Sequence, residues 1–312
     1  MTPAKQARET HILSHRYLRV AMVGLLSFLG LAVFDQTLGQ KEGVLSSISA
    51  YYYTPAQAVF VGTLIAIGVC MIALQGTTDP EDILLNIGGM LAPVVALIPT
   101  ARSTDTSSAL EACRQSPESF TFQGMPIDCT LENLAGARRA LEGATRLAIE
   151  NNVPALVYTG GAAMLAAVAL NYMEKNPKRR IPDFMRYWSA AFGLYLVGAG
   201  IYFVWTDEFV KVAHYFAAGG LFACIVGVAI VNAFRKKGED SSSGSTDKTM
   251  RGPRVLFPNL YAAVAIAMLV AIVVGLSFEF WGPGNVALFW LEATLILLFA
   301  ALWVIQTREQ WN

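Results

Sequence analysis

Residues 259–279 read NLYAAVAIAMLVAIVVGLSFE, and the 19 residues between Asn259 and Glu279 carry no charge. Coiled as an α-helix, such a run spans about 28 Å at 1.5 Å per residue. The hydrocarbon core of a bilayer is about 30 Å thick and takes roughly 20 apolar residues as helix. Backbone amides cannot stay unpaired in hydrocarbon, so a segment of this composition spans as a helix.

Working outward, seven further apolar runs are found. The eight expected spans are 17–35, 56–75, 83–99, 154–173, 187–206, 210–234, 259–279 and 285–306. Over the whole chain, 54% of the 312 residues are hydrophobic and 15% charged, against about 25% charged in soluble domains. The expected fold is therefore an all-α polytopic bundle. The span 83–99 is the weakest: it carries Gly88, Gly89, Pro93 and Pro99. Proline removes a hydrogen bond and kinks a helix, so a re-entrant segment is the competing reading there.

Basic residues orient the bundle. With the N-terminus inside, the inner segments hold 16 Lys and Arg and the outer ones 7, of which 5 lie in the long loop 101–153. Long loops carry little weight in this rule, which leaves 16 against 2. Both termini are thus expected in the cytoplasm, in a plasma-membrane protein. The N-terminal tail has no small-residue cleavage site after its first apolar run, so that run reads as a retained helix.

Two cysteines, Cys70 and Cys224, fall inside spans and read as small apolar residues. Cys113 and Cys129 share the outer loop. Disulfides persist in oxidising compartments, and a loop of this size would gain about 3 kcal/mol from closure. A Cys113–Cys129 bond is expected.

The same loop holds an expected amphipathic helix, 131–150. Thr130 would cap it, Leu131, Leu134, Leu141, Ala144 and Ala148 would form its apolar face, and Arg138, Arg139, Glu142 and Arg146 the rest. It would cover the outer mouth or lie on the membrane. Asn152 would then cap the fourth span, with Pro154 in its first turn. The inner segment 235–256, with its Ser-Gly tract and flanking Lys and Arg, reads as a flexible linker near anionic headgroups. Gly219, Ala223 and Gly227 repeat at helical spacing, as do Ala162 and Ala166, which suits close packing within the bundle or in a homo-oligomer.

Ionisable groups inside spans are costly and are default functional candidates. Glu292 lies eight residues into the last span. A charge at that depth costs about 2.5–3.5 kcal/mol on insertion scales, so it must be neutral, paired or in contact with water. His214 is the only histidine outside the N-terminal tail. It sits near the outer end of the sixth span, where it could pair with Glu292 and titrate near neutral pH; the plainer reading is an interfacial residue beside Tyr215. Asp35 and Glu279 end the first and seventh spans on the same side, where most carboxylates are simply solvated. The stretch Ser46 to Thr54, SSISAYYYT, places Ser49 at that level too. Its tyrosines fit an aromatic belt that anchors the second span, and its serines could instead rim a ligand mouth. Asp79, Glu81 and Asp82 form an acidic inner turn suited to a helix N-terminus.

Other chemistries are weighed down. The zero net charge gives no footprint for nucleic acid. One outer histidine cannot supply a His-rich zinc site. No phosphate-binding, dinucleotide or nucleophile-elbow motif stands in suitable context. No metal or cofactor is expected.

The segments SISAYYYTPAQAVFVGTLIAIGV, EDILLNIGGMLAPVVALIPT, HYFAAGGLF and FAALWVIQTREQW resemble a family of uncharacterised bacterial multi-span membrane proteins. The resemblance covers most spans but not the cysteine loop, and it implies a membrane bundle and no activity. Similarity to the progestin-receptor and alkaline-ceramidase hydrolases is looser. Ser49 and His214 are the only matches, and their His-x-x-x-His element is absent.

Three functions follow as expectations. The first is a bundle that binds or passes a small molecule, ion or lipid through an outer-facing cavity, with Glu292 and His214 on it and Ser49 at its rim. The second is an intramembrane lipid hydrolase or transferase, which requires metal or a nucleophile beside His214. The third is a structural scaffold with no continuous cavity. Membrane lipids are the partners common to all three.

Overall fold

The computed structural model describes residues 3–39, 44–100, 121–122, 125–126, 134–173, 191, 193–195, 198, 207–242, 257–281 and 286–311. The helices with described bounds are α1 (Pro3–Gly39), α2 (Gln57–Ala73), α3 (Asp79–Leu97), α4 (Leu134–Met173), α5 (Asp207–Ser242), α6 (Phe257–Trp281) and α7 (Ala287–Trp311), and residues 191, 193–195 and 198 are helical as well. A 3-10 helix, Ser49–Tyr53, precedes α2. The strands β1 (Thr121–Phe122) and β2 (Met125–Pro126) pair antiparallel as a minimal hairpin.

Five segments are long and apolar enough to cross a membrane: Leu13–Leu38, Asp79–Leu97, Val212–Arg235, Leu260–Glu279 and Ala287–Glu309. They mark the protein as a multi-pass, membrane-embedded helical bundle. Gln57–Ala73 is equally apolar but has 17 residues, about 26 Å of helix. The expected fourth span lies inside α4, and most of the expected fifth, 187–206, lies outside the described residues.

Local chemistry sets the helix ends. The Thr78 hydroxyl accepts from the Glu81 amide at 3.4 Å, Pro80 stands in the first turn, and Asp79, Glu81 and Asp82 face the N-terminal dipole of α3. Pro93 is accommodated inside this helix. It is continuous over 19 residues and is one of the helices long and apolar enough to cross a membrane. Proline costs α3 one hydrogen bond, which a packed bundle tolerates.

Helix α3 lies between α2 and α5, α6 bridges α5 and α7, and α1 closes on α7 and α2. The tightest crossing is between α2 and α3. A Cβ on Gly68 would sit 2.6 Å from the Gly89 carbonyl oxygen, and one on Gly89 would sit 2.7 Å from that of Gly68. Only residues without side chains permit that approach. Met22, Leu29, Ile67, Met71, Ile225, Met268 and Trp303 are fully buried in the common core. Phe28, Leu31, Phe34, Ile266, Val273 and Leu297 are exposed on the outside, the face hydrocarbon would solvate.

Several expectations are corrected. The loop helix 131–150 and the fourth span are one helix from Leu134 to Met173, with Pro154 inside it. The Asn152 side chain accepts from Asn151 at 3.1 Å instead of capping a new helix. A single lost hydrogen bond at proline did not suffice to end a helix flanked by good formers. Helix α5 continues through Ser242, so the expected linker 235–256 is helical at its start; its remainder lies outside the described residues. Of the small-residue stripe on α5, Gly219 has open space and Ala223 is exposed, while Gly227 packs on Leu84. The Cys113–Cys129 bond finds no support: no disulfide occurs among the described residues, and both cysteines lie outside them, as does Thr130. Cys70 and Cys224 are free and buried, as expected.

Candidate functional site

The stretch Ser46–Thr54 does not lie in an aromatic belt. It folds into the bundle, and Ser47, Ile48, Ser49, Tyr51, Tyr52 and Thr54 are buried. Amphipathic tyrosines suit an interface and a polar-lined interior alike, and here each hydroxyl that anchors the segment has a partner inside. Tyr51 meets the Thr37 hydroxyl of α1 at 2.6 Å, and Tyr53 donates to the Thr100 carbonyl at 2.7 Å. The Phe289 amide of α7 donates to the Ser46 carbonyl at 3.0 Å.

This placement directs the amides that open the 3-10 helix at Glu292 on α7. The Ile48 N–H donates to Glu292 Oε2 at 2.6 Å and the Ser49 N–H to the same oxygen at 3.4 Å. The first amides of a helix have no partner within it and favour an anion. Glu292 is partly buried.

On its other side the Ser49 Oγ lies 2.9 Å from His214 Nε2, and His214 Nδ1 lies 2.6 Å from the Ile98 carbonyl oxygen at the end of α3. Ser49 is 5% exposed and His214 1%. A carbonyl oxygen can only accept, so Nδ1 carries a proton and Nε2 faces the serine. Ile149 and Val153 of α4 pack with Ile98 and Ala213 beside this corner. Three candidates, Ser49, His214 and Glu292, thus meet through Ser49 rather than by a direct His–Glu pair. Asp35 and Glu279 are exposed and outside the cluster.

Chemically the arrangement offers a hydroxyl against an imidazole oriented from behind, with a carboxyl group held by the amide of the same serine. Such a set can bind a polar solute by exchanging its hydrogen bonds, move a proton, or activate the serine as a nucleophile. No group of three or more His, Cys, Asp or Glu that could hold a metal ion occurs among the described residues.

A second polar cluster closes the opposite end of the same helices. Glu81, 2% exposed, accepts four hydrogen bonds. The Thr77 amide and hydroxyl reach Oε2 at 2.7 and 2.6 Å. Asn232 of α5 and Gln306 of α7 reach Oε1 at 2.8 and 2.9 Å. Nearby, Tyr261 of α6 donates to Glu309 at 2.7 Å and Arg235 lies 3.9 Å from Glu309. The Arg19 guanidinium of α1 lies 6.0 Å from the centre of the Trp303 ring. The Gln306 Oε1 and Trp303 Nε1 are buried without a partner.

Sequence reasoning missed this cluster. Along the chain Glu81 stands simply as a helix-start acid, and Asn232 and Gln306 as single amides in apolar runs. The available signal is that both amides fall on the side of the acidic turn. From His214 to Asn232 is 18 residues, about 27 Å along α5. Between the two clusters stand buried Leu221, Ile225 and Val228 on α5 and Leu295, Phe299 and Leu302 on α7.

Compared with family models, with curated proteins and with solved structures, the chain matches none.

Proposed function

We propose that the protein binds or passes a small molecule or ion at the Ser49–His214–Glu292 cluster of a plasma-membrane bundle. The observation that supports this most is the buried Ser49, hydrogen-bonded to both an imidazole and a carboxyl group carried by two spanning helices. Ionisable groups placed inside a membrane and facing one another are the usual mark of a solute or proton pathway. Both termini are taken as cytoplasmic and the number of spans as eight, on the 16-to-2 distribution of basic residues. The cluster then opens toward the outside. His214 lies two residues into its span and Glu292 five into its own, about 3 and 8 Å of helix from the surface.

The test is thermal stability of the purified protein in lipid nanodiscs against a panel of small solutes. A ligand should stabilise the wild type and lose that effect in Glu292→Gln and His214→Gln. A solute that stabilises all three equally would remove the cluster from binding.

One observation favours a second reading, a hydrolase. A serine hydroxyl beside a histidine that is itself held by an acceptor is the arrangement of an activated nucleophile. The Ile48 and Ser49 amides, which could cradle an oxyanion, are occupied by Glu292. Covalent labelling of Ser49 by a fluorophosphonate probe would favour this reading over passage.

A further inference from the structure

We propose that the Glu81 end of the bundle holds a second binding site, for one small neutral hydroxyl group, between Trp303 and Gln306 of α7. It shares no residue with the Ser49–His214–Glu292 cluster, so it holds whether or not that cluster takes a solute.

Glu81 decides how Gln306 is turned. The carboxylate can only accept, so Gln306 presents its amide nitrogen to Oε1, at 2.9 Å. Exchanging the nitrogen and oxygen of that amide would set two acceptors against each other. The Gln306 Oε1 is therefore directed away from Glu81. It has no donor among the described residues, and Gln306 is 5% exposed. Three residues earlier, the Trp303 indole N–H has no acceptor among the described residues, and Trp303 is 1% exposed.

An indole nitrogen only donates and an amide oxygen only accepts. One face of one helix thus carries a buried donor and a buried acceptor. Each costs about 1–3 kcal/mol if left unpaired, and folded proteins pair nearly all such groups. Two hydrogen bonds through one oxygen span about 5.5 Å, and side chains three apart on a helix have Cβ atoms about 5–6 Å apart.

The two groups select the occupant. It must accept from Trp303 and donate to Gln306. A cation meets the positive end of the indole N–H. An anion meets the Glu81 carboxylate, whose oxygens already hold four donors. An apolar guest leaves both groups unpaired. A hydroxyl satisfies both through a single oxygen. The indole itself is walled by Phe299, with ring centres 5.9 Å apart, and by the Arg19 guanidinium of α1 at 6.0 Å. Water and a small alcohol carry the same hydroxyl chemistry.

The experiment is NMR of full-length protein in nanodiscs with nitrogen-labelled tryptophan side chains and glycerol as the alcohol probe. Loss in Trp303→Phe assigns the Trp303 indole signal. That substitution keeps a ring in the core and leaves the four donors of Glu81 in place. In the wild type, magnetisation should pass from a bound hydroxyl to the Trp303 N–H. If the occupant is water, transfer at the water frequency persists in saturating glycerol. If it is an alcohol, glycerol shifts the signal saturably and replaces the water cross-peak with one to its own protons. Either result supports the site. Gln306→Met removes the acceptor and should lose the transfer. A wild-type Trp303 N–H with no transfer from water and no shift in glycerol would overturn the site.

Discussion

Ser49 Oγ and His214 Nε2 lie 2.9 Å apart although 165 positions separate them in the chain. The contact exists because the segment before α2 turns inward instead of along the membrane surface, and because Ile98 at the end of α3 holds the imidazole from behind. Two helices and one buried loop therefore meet at a single serine.

At Glu292, substitutions should separate hydrogen bonding from charge. Glu292→Gln retains an oxygen for the Ile48 and Ser49 amides and should cost about 1 kcal/mol, the scale of one altered hydrogen bond. Glu292→Leu leaves both amides buried without an acceptor and should cost about 2–4 kcal/mol, since each orphaned donor is worth roughly 1–3. Unfolding in detergent measures the difference, and equal losses would contradict the geometry.

Glu81 should respond in the opposite way. All its acceptor positions are filled by donors, so the amide of Glu81→Gln must turn at least one N–H toward another donor. Leaving a buried donor without its acceptor costs about 1–3 kcal/mol, and more where the lost acceptor is charged. Glu81→Gln should thus be far more damaging than Glu292→Gln when the two are unfolded side by side.

The α2–α3 crossing gives a packing test. Gly89→Ala would press a methyl group against the Gly68 carbonyl and Ile72, both within 2.7 Å of the new Cβ, and should cost about 1–3 kcal/mol as overpacking. Gly219→Ala meets nothing within 4 Å and should leave the melting temperature unchanged or raise it slightly, as alanine favours helix.

Topology is checked by reporters. A fluorescent protein fused after Asn312 should fold and fluoresce in bacterial cells, and alkaline phosphatase at the same point should stay inactive. An active phosphatase there would reverse the orientation inferred from the basic residues.

How much of this was legible in the sequence depends on what each residue's neighbours reveal. The five helices long enough to cross a membrane were legible because hydrocarbon demands long apolar runs. Glu292 and His214 were legible because a carboxyl group or an imidazole inside such a run must find a partner, lose its charge or reach water. The burial of Tyr51 and Tyr52 was not, since residue type records amphipathicity but not the direction in which a short segment turns. Glu81 looked complete as a helix-start acid, and its further partners Asn232 and Gln306 come from positions 151 and 225 residues away, a pairing no local pattern encodes. Pro154 misled because proline weakens a helix without always ending it.

The most direct measurement is the nitrogen NMR spectrum of the His214 side chain in nanodiscs, assigned by its loss in His214→Gln. Nδ1 should be protonated, and the Nε2 signal should shift when Ser49 becomes alanine. A neutral ring with its hydrogen on Nε2, indifferent to that substitution, would mean that Ile98 does not orient the imidazole toward Ser49.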